Sequence, residues 1–183
     1  IAADLEGKAT IAGRTDAPGA ADRIEFFARR TCNAQGEHCR LVVSGKGSID
    51  GQASDRFVAV AKRASEETGQ QVDTVVLESL GGDLRQALLL GAVFRAMGVN
   101  TEVAPQTVCA SACAYAFLGG RTRTLAPDSY LGVHRFAAAG NDPGSDVSQR
   151  MVSLLSDYIR GMGVSESLLQ LASQAGPSSM ARV

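Results

Sequence analysis

The chain has 183 residues, 45% of them hydrophobic and 20% charged, with a formal net charge of −1. That length suffices for one domain with a substantial core and not for two ordinary ones. Near-neutral charge without a basic cluster gives no footing to a nucleic-acid partner, and the longest apolar run, Ala87 to Phe94, is cut by Arg95 before it could span a bilayer.

Residues 1–39 read as an N-terminal extension of uncertain structure ahead of one compact unit over 40–183. Gly7 to Ala21 is rich in Gly, Ala, Thr and Asp, with a strand expected at Thr10 to Gly13. Arg23 to Arg30 fits neither the helical nor the strand period, so both stay open. The start at Ile1 without a methionine fits a leader that has been removed. Cys32 and Cys39 bracket a polar, turn-like loop, and a disulfide there is expected to contribute about 2 kcal/mol. The alternative, a metal clip with His38, lacks a fourth ligand nearby, so no metal is expected. The spacing of this pair favours an oxidising compartment, hence a periplasmic or secreted location.

From Arg40 the pattern sharpens. Leu41 to Ser44 reads as a strand and Gly45-Lys46-Gly47 as a turn; Phe57, Val60, Ala61 and Ala64 fall at helical spacing, with Gly69 ending that helix. Val72 to Leu77 returns as a strand. Asp83 is the expected N-cap of a helix that buries Leu84, Ala87, Leu88 and Gly91 and closes at Gly98. Asn100 to Val103 is a further strand, interrupted at Pro105. Such strand and helix alternation implies right-handed crossovers and a mostly parallel α/β sheet, whose binding sites collect at the carboxyl ends of strands.

Val108 then enters the run V-C-A-S-A-C-A-Y-A-F-L-G, which places Ser111 at a strand-to-helix corner, on the first turn of a buried helix over Ala112 to Leu118. Unpaired N–H groups there favour negative charge developing nearby. Cys109 and Cys113 flank this serine and read as small buried packing residues, although a thiol in a first helical turn can have a lowered pKa. Arg121 to Leu125 is a strand-like link. Tyr130 to Val133 is a short strand ending at His134, one of two histidines, and Ala137 to Ser145 is a loop placed to cover a site. Val147 to Met162 has an amphipathic period, a further helix begins near Ser165, and Gly176 to Ser179 is loop.

Strand, S-L-G-G (Ser79 to Gly82), helix, then strand, C-A-S-A-C, helix, then L-G-V-H, over about Arg40 to Gln174, resembles the caseinolytic (Clp) protease and crotonase superfamily, and most of all its periplasmic Clp-like branch. The resemblance implies a repeated β-β-α superhelix with C-terminal helices and no cofactor. It implies a serine-dependent peptidase acting on peptide or protein, with Ser111 as nucleophile and His134, twenty-three residues later, as base. The N–H groups of Gly81 and Ala112 would form the oxyanion hole. It also implies a homo-oligomer, with apolar positions such as Leu154, Leu155 and Leu168 at its contacts, and further chain beyond Val183.

The family's third triad member, an aspartate well downstream of the histidine, would fall near Pro177-Ser178-Ser179, where no carboxylate stands. Asp142, Asp146 and Asp157 are the acids on offer, and Asp157 reads as a solvated helix charge. A Ser-His dyad, a group from a neighbouring subunit, and loss of catalysis all stay open. Taken singly, Ser111 reads as a packing hydroxyl and His134 as a surface histidine; their order and interval make the hydrolase reading. The alternatives are a crotonase-like acyl-binding protein and a non-catalytic interaction module.

Overall fold

The computed structural model describes residues 23–135, 146–176 and 179–183. The strand expected at Thr10 to Gly13 and the loop expected at 137–145 lie outside them. The chain opens on β1 (Glu25–Thr31), which pairs antiparallel with β2 (Arg40–Lys46) along its whole length. Only its beginning turns apolar side chains inward, through buried Ile24 and Phe26; from Phe27 on it is exposed. An edge strand needs no more, which is why Arg23 to Arg30 matched neither period. Strand β2 runs through Gly45 and Lys46, where a turn was expected, because both pair with β1 on one side and with the next strand on the other; the glycine leaves room for the Phe26 ring packed over it.

Beyond β2 come α1 (Ala53–Thr68), β3 (Val72–Glu78), α2 (Leu84–Met97), β4 (Asn100–Val103), β5 (Val108–Ala110), α3 (Ala112–Phe117), β6 (Arg123–Leu125), β7 (Tyr130–Val133), α4 (Asp146–Gly161), α5 (Ser167–Gln174) and β8 (Ala181–Arg182). One sheet has the order β1-β2-β3-β4-β6, parallel from β2 onward. A second has β5-β7-β8, with β5 parallel to β7 and β8 antiparallel. Helix ends follow local chemistry: the Asp83 side chain accepts from Gln86 N–H at the start of α2, and Gly69 and Gly98 take left-handed conformations after α1 and α2.

The core of the larger sheet is built round Phe57, whose ring meets Phe26 and Phe94 edge-on at centroid distances of 5.5 and 4.8 Å. Every residue of α3 is buried. Its small side chains let α2 come close: at Gly91 any β-carbon would run into the Tyr158 hydroxyl and lie 3.1 Å from the Ala116 carbonyl. Helix α4 lays Met151, Leu155 and Ile159 inward, with Met162 just beyond its end. The Tyr158 hydroxyl donates to the Tyr115 carbonyl at 2.8 Å. Arg95 and Arg123 both donate to the carbonyl of Met162 and to that of Leu118, so two guanidiniums sit where the dipoles of α3 and α4 end. Leu155 and Leu168, expected at contacts between subunits, are buried inside this chain, whereas Leu154 is exposed.

Candidate active site

The two sheets meet at Ser79, one residue past β3. Its N–H donates to the Val108 carbonyl and its own carbonyl accepts from Ala110 N–H, both at 2.9 Å. The carboxyl ends of β3 and β5 are thereby fastened side by side, and S-L-G-G turns there toward α2. Gly81 and Gly82 have φ of 115° and 136°, a region open to glycine and costly to other residues. The corner is pinned to Ile49, which donates its N–H to the Gly81 carbonyl and accepts from Asp83 N–H, each at 2.8 Å. A β-carbon on Gly81 would fall 2.8 Å from the Ser111 β-carbon and 3.1 Å from Ala112 N. The glycine corner therefore lies directly against the serine corner.

Ser111 is the N-cap residue of α3 and not part of its first turn, as the buried run after it suggested. Its φ of 56° and ψ of −125° are rarely adopted by residues with a side chain, at a cost of about 1–3 kcal/mol that the surroundings must offset. They do so at several points. Ser111 N–H donates to the Gly132 carbonyl on β7 at 2.8 Å, and its carbonyl accepts from Ala114 N–H at 3.0 Å. The bent backbone turns the half-buried side chain toward the end of β7, where His134 follows Val133.

Ser111 Oγ and His134 Nε2 are 2.6 Å apart. His134 Nδ1 lies 2.9 Å from the Arg135 carbonyl oxygen. A carbonyl can only accept, so Nδ1 carries the proton and Nε2 offers its lone pair to the serine hydroxyl. Among the described residues the outer ring nitrogen thus meets a main-chain carbonyl and no carboxylate. Asp142 lies outside them, and of Asp146 only the backbone, at the start of α4, is described. Asp157 is exposed and paired with Arg160 at 3.4 Å, the solvated charge its helical position implied.

Of the two N–H groups expected to face a reacting carbonyl, that of Ala112 sits beside Gly81 at the head of α3. That of Gly81 is engaged: it donates to Ser79 Oγ at 3.1 Å, while the Ser79 hydroxyl donates to the Gly81 carbonyl at 3.2 Å. Ser79 is a buried residue that holds the glycine peptide from both sides. It stands in the S-L-G-G run, and the signal for it, a hydroxyl two residues before a glycine forced to positive φ, is present in the sequence.

Both cysteine pairs are bridged, Cys32 with Cys39 and Cys109 with Cys113. The first matches the expected loop closure and removes the metal-clip alternative at His38. Cys109 and Cys113 are fully buried, as expected of packing residues, and are also joined to each other. The corner at Ser111 brings Cys109, in the middle of β5, within 5.2 Å, α-carbon to α-carbon, of Cys113 in the first turn of α3. No cluster of potential metal ligands occurs among the described residues. Among them too, no helix is long and apolar enough to cross a membrane.

No model of a known protein family matches the chain, and no curated protein does. Solved structures do. A point mutant of ClpP1 from Listeria monocytogenes superposes with a TM-score of 0.58 at 16% identity, covering 72% of this chain and 78% of its own. The ClpP protease catalytic domain from Plasmodium falciparum gives 0.55 at 14%, covering 73% of each. Two point mutants of the 1510-N membrane-bound stomatin-specific protease, one in complex with a substrate peptide, give 0.49 and 0.48. This chain spans 59% and 56% of their lengths. The architecture is the ClpP fold, a mixed α/β arrangement with a mostly parallel sheet.

Proposed function

We propose that the chain is a serine peptidase-like hydrolase in which Ser111 is the nucleophile and His134 the base. The observation that carries this is the 2.6 Å approach of Ser111 Oγ to His134 Nε2 at the adjoining ends of β5 and β7. In this reading His134 takes the hydroxyl proton as Ser111 attacks an amide or ester carbonyl, then delivers it to the leaving group. Water repeats the sequence on the acyl-enzyme. The Arg135 carbonyl holds the ring in the tautomer the first step needs, so the pair works as a dyad oriented by main chain.

The developing oxyanion would be met by the N–H of Ala112 and that of Gly81, the latter shared with Ser79 Oγ. One such donor is worth about 3 kcal/mol of barrier. The substrate class is peptide or protein. The two disulfides support a periplasmic or secreted site of action, and exposed Val152 and Leu154 on α4 support self-association.

Labelling with a fluorophosphonate tests the reading, because only an activated serine reacts. Modification of Ser111 in the oxidised full-length protein, absent from Ser111→Ala, is the expected result. A protein that is neither labelled nor hydrolytic would instead be an acyl-binding protein or an interaction module on the same fold.

A further inference from the structure

Ser111 keeps a backbone conformation that is unfavourable by itself, so something must hold it there. Its two backbone hydrogen bonds, to Gly132 and from Ala114, fix the peptide on either side. Neither joins the incoming strand to the outgoing helix across the serine. The Cys109–Cys113 bridge does: one sulfur comes from the middle of β5, the other from the first turn of α3, and Ser111 is the middle residue of the three they enclose. Helix α3 has six residues, too few to be stable alone, so its start is placed by what it is tied to. Both cysteines are fully buried, so a reductant reaches the bridge through local opening of the elbow and not in the closed fold.

We propose that this disulfide is a redox-sensitive positioning device for the nucleophile: closed, it keeps Ser111 Oγ on His134 Nε2; open, it lets the elbow relax and reactivity fall while the fold persists. The proposal rests on the hydrolase reading and adds regulation to it. Opening requires a dithiol reductant. The S–S bond breaks and takes up two electrons and two protons, leaving Cys109 and Cys113 as thiols, and the reductant becomes a cyclic disulfide. The consequence is an enzyme of low reactivity in a thiol-reducing compartment and of full reactivity where disulfides persist. The Cys32–Cys39 bridge supplies an internal control, since it closes an exposed loop between β1 and β2 and touches neither corner.

The test compares full-length wild type, Cys109→Ala/Cys113→Ala and Cys32→Ala/Cys39→Ala by fluorophosphonate labelling kinetics and amide hydrogen exchange. The first double variant should label about ten- to a hundredfold more slowly, through the maximal rate and not the half-saturating concentration. Exchange at the Ser111 and Ala114 amides should rise about tenfold, with Val75 and Leu77 in β3 unchanged. The Cys32/Cys39 variant should match wild type in both. Should the first variant fail to fold, dithiol-reduced wild type takes its place, and reoxidation should restore the rate. Unchanged exchange at Ser111, or labelling at the wild-type rate with the bridge absent, overturns the proposal. A wild type that does not label at all defeats the hydrolase reading and, with it, the regulatory role, while exchange then reports only whether the bridge orders the elbow.

Discussion

In the proposed reading Ser111 and His134 act as one unit, and that makes their variants informative. Ser111→Ala should abolish labelling and hydrolysis while leaving thermal stability nearly unchanged, because a half-buried hydroxyl that caps nothing contributes little to the fold. His134→Ala should fall to a similar level, and the double variant should be hardly worse than either single one. Gly81→Ala is the complementary case. Its β-carbon would lie 2.8 Å from that of Ser111, on a backbone of φ 115°, so both stability and reactivity should drop, read as a lowered urea midpoint together with slower labelling. These positions were legible in the sequence because each is fixed by a local rule: glycines where a strand turns sharply, a serine before a run of small apolar residues, a histidine at a strand end. Ser79 was passed over, although its hydroxyl stands two residues before Gly81 in the run, because what it holds is the Gly81 backbone and not a reacting group. Arg135 escaped because the group that meets the ring is a carbonyl, which every residue has.

Among the described residues, helix α4 is held to the rest of the chain by its apolar stripe and by polar contacts from Arg95, Arg123 and Tyr158. The amphipathic period over Val147 to Met162 announced the stripe; Arg95, Arg123 and Tyr158 could not be read as anchors, since their carbonyl partners lie far away in sequence. For a like reason β8 was missed: its two residues carry no pattern of their own, and they are placed by pairing with β7 and by Arg182 lying over the Tyr130 ring. Burial pushes the Tyr158 phenol above its ordinary value, against the pull of Arg95 and Arg123. The sign follows. The folded chain keeps this proton where the unfolded chain, with a phenol near pH ~10, releases it, so the stabilisation is complete below about pH 10 and is lost as pH rises toward the folded value. Tyr158→Phe should cost about 1 kcal/mol at neutral pH by removing the hydroxyl's bond to the Tyr115 carbonyl, which keeps its bond from Leu118 N–H. It should also flatten the alkaline loss of stability, and urea midpoints on either side of about pH 10 measure both effects.

At the scale of the whole molecule, α4 leaves apolar side chains at the surface. Met151, Leu155 and Ile159 bury the inner stripe of α4, and Val152 and Leu154 stand on its two shoulders, 54% and 47% exposed. Helical geometry puts these two on opposite flanks of the buried line, so a second copy seated on the Leu154 flank would cover Leu154 and leave Val152 in solvent. Two of the three leucines first assigned to such contacts proved internal. The sequence period marks which residues are apolar and cannot divide those facing the chain's own core from those facing a neighbour. If the chain self-associates through α4, light scattering at micromolar concentration should give a mass above that of a single chain. Leu154→Asp should shift it toward the monomer with little change in unfolding temperature, since an exposed side chain contributes little to the fold itself. Leu155→Asp is the contrasting variant: a charge placed at a fully internal position should unfold the chain. A wild type that is monomeric at this concentration, or a Leu154→Asp variant of unchanged mass, would remove α4 as the assembly surface. Labelling of Ser111 in the same samples then tells whether the site depends on assembly, because the Ser111, His134 and Arg135 hydrogen bonds are complete within one chain and should keep their reactivity in the monomer.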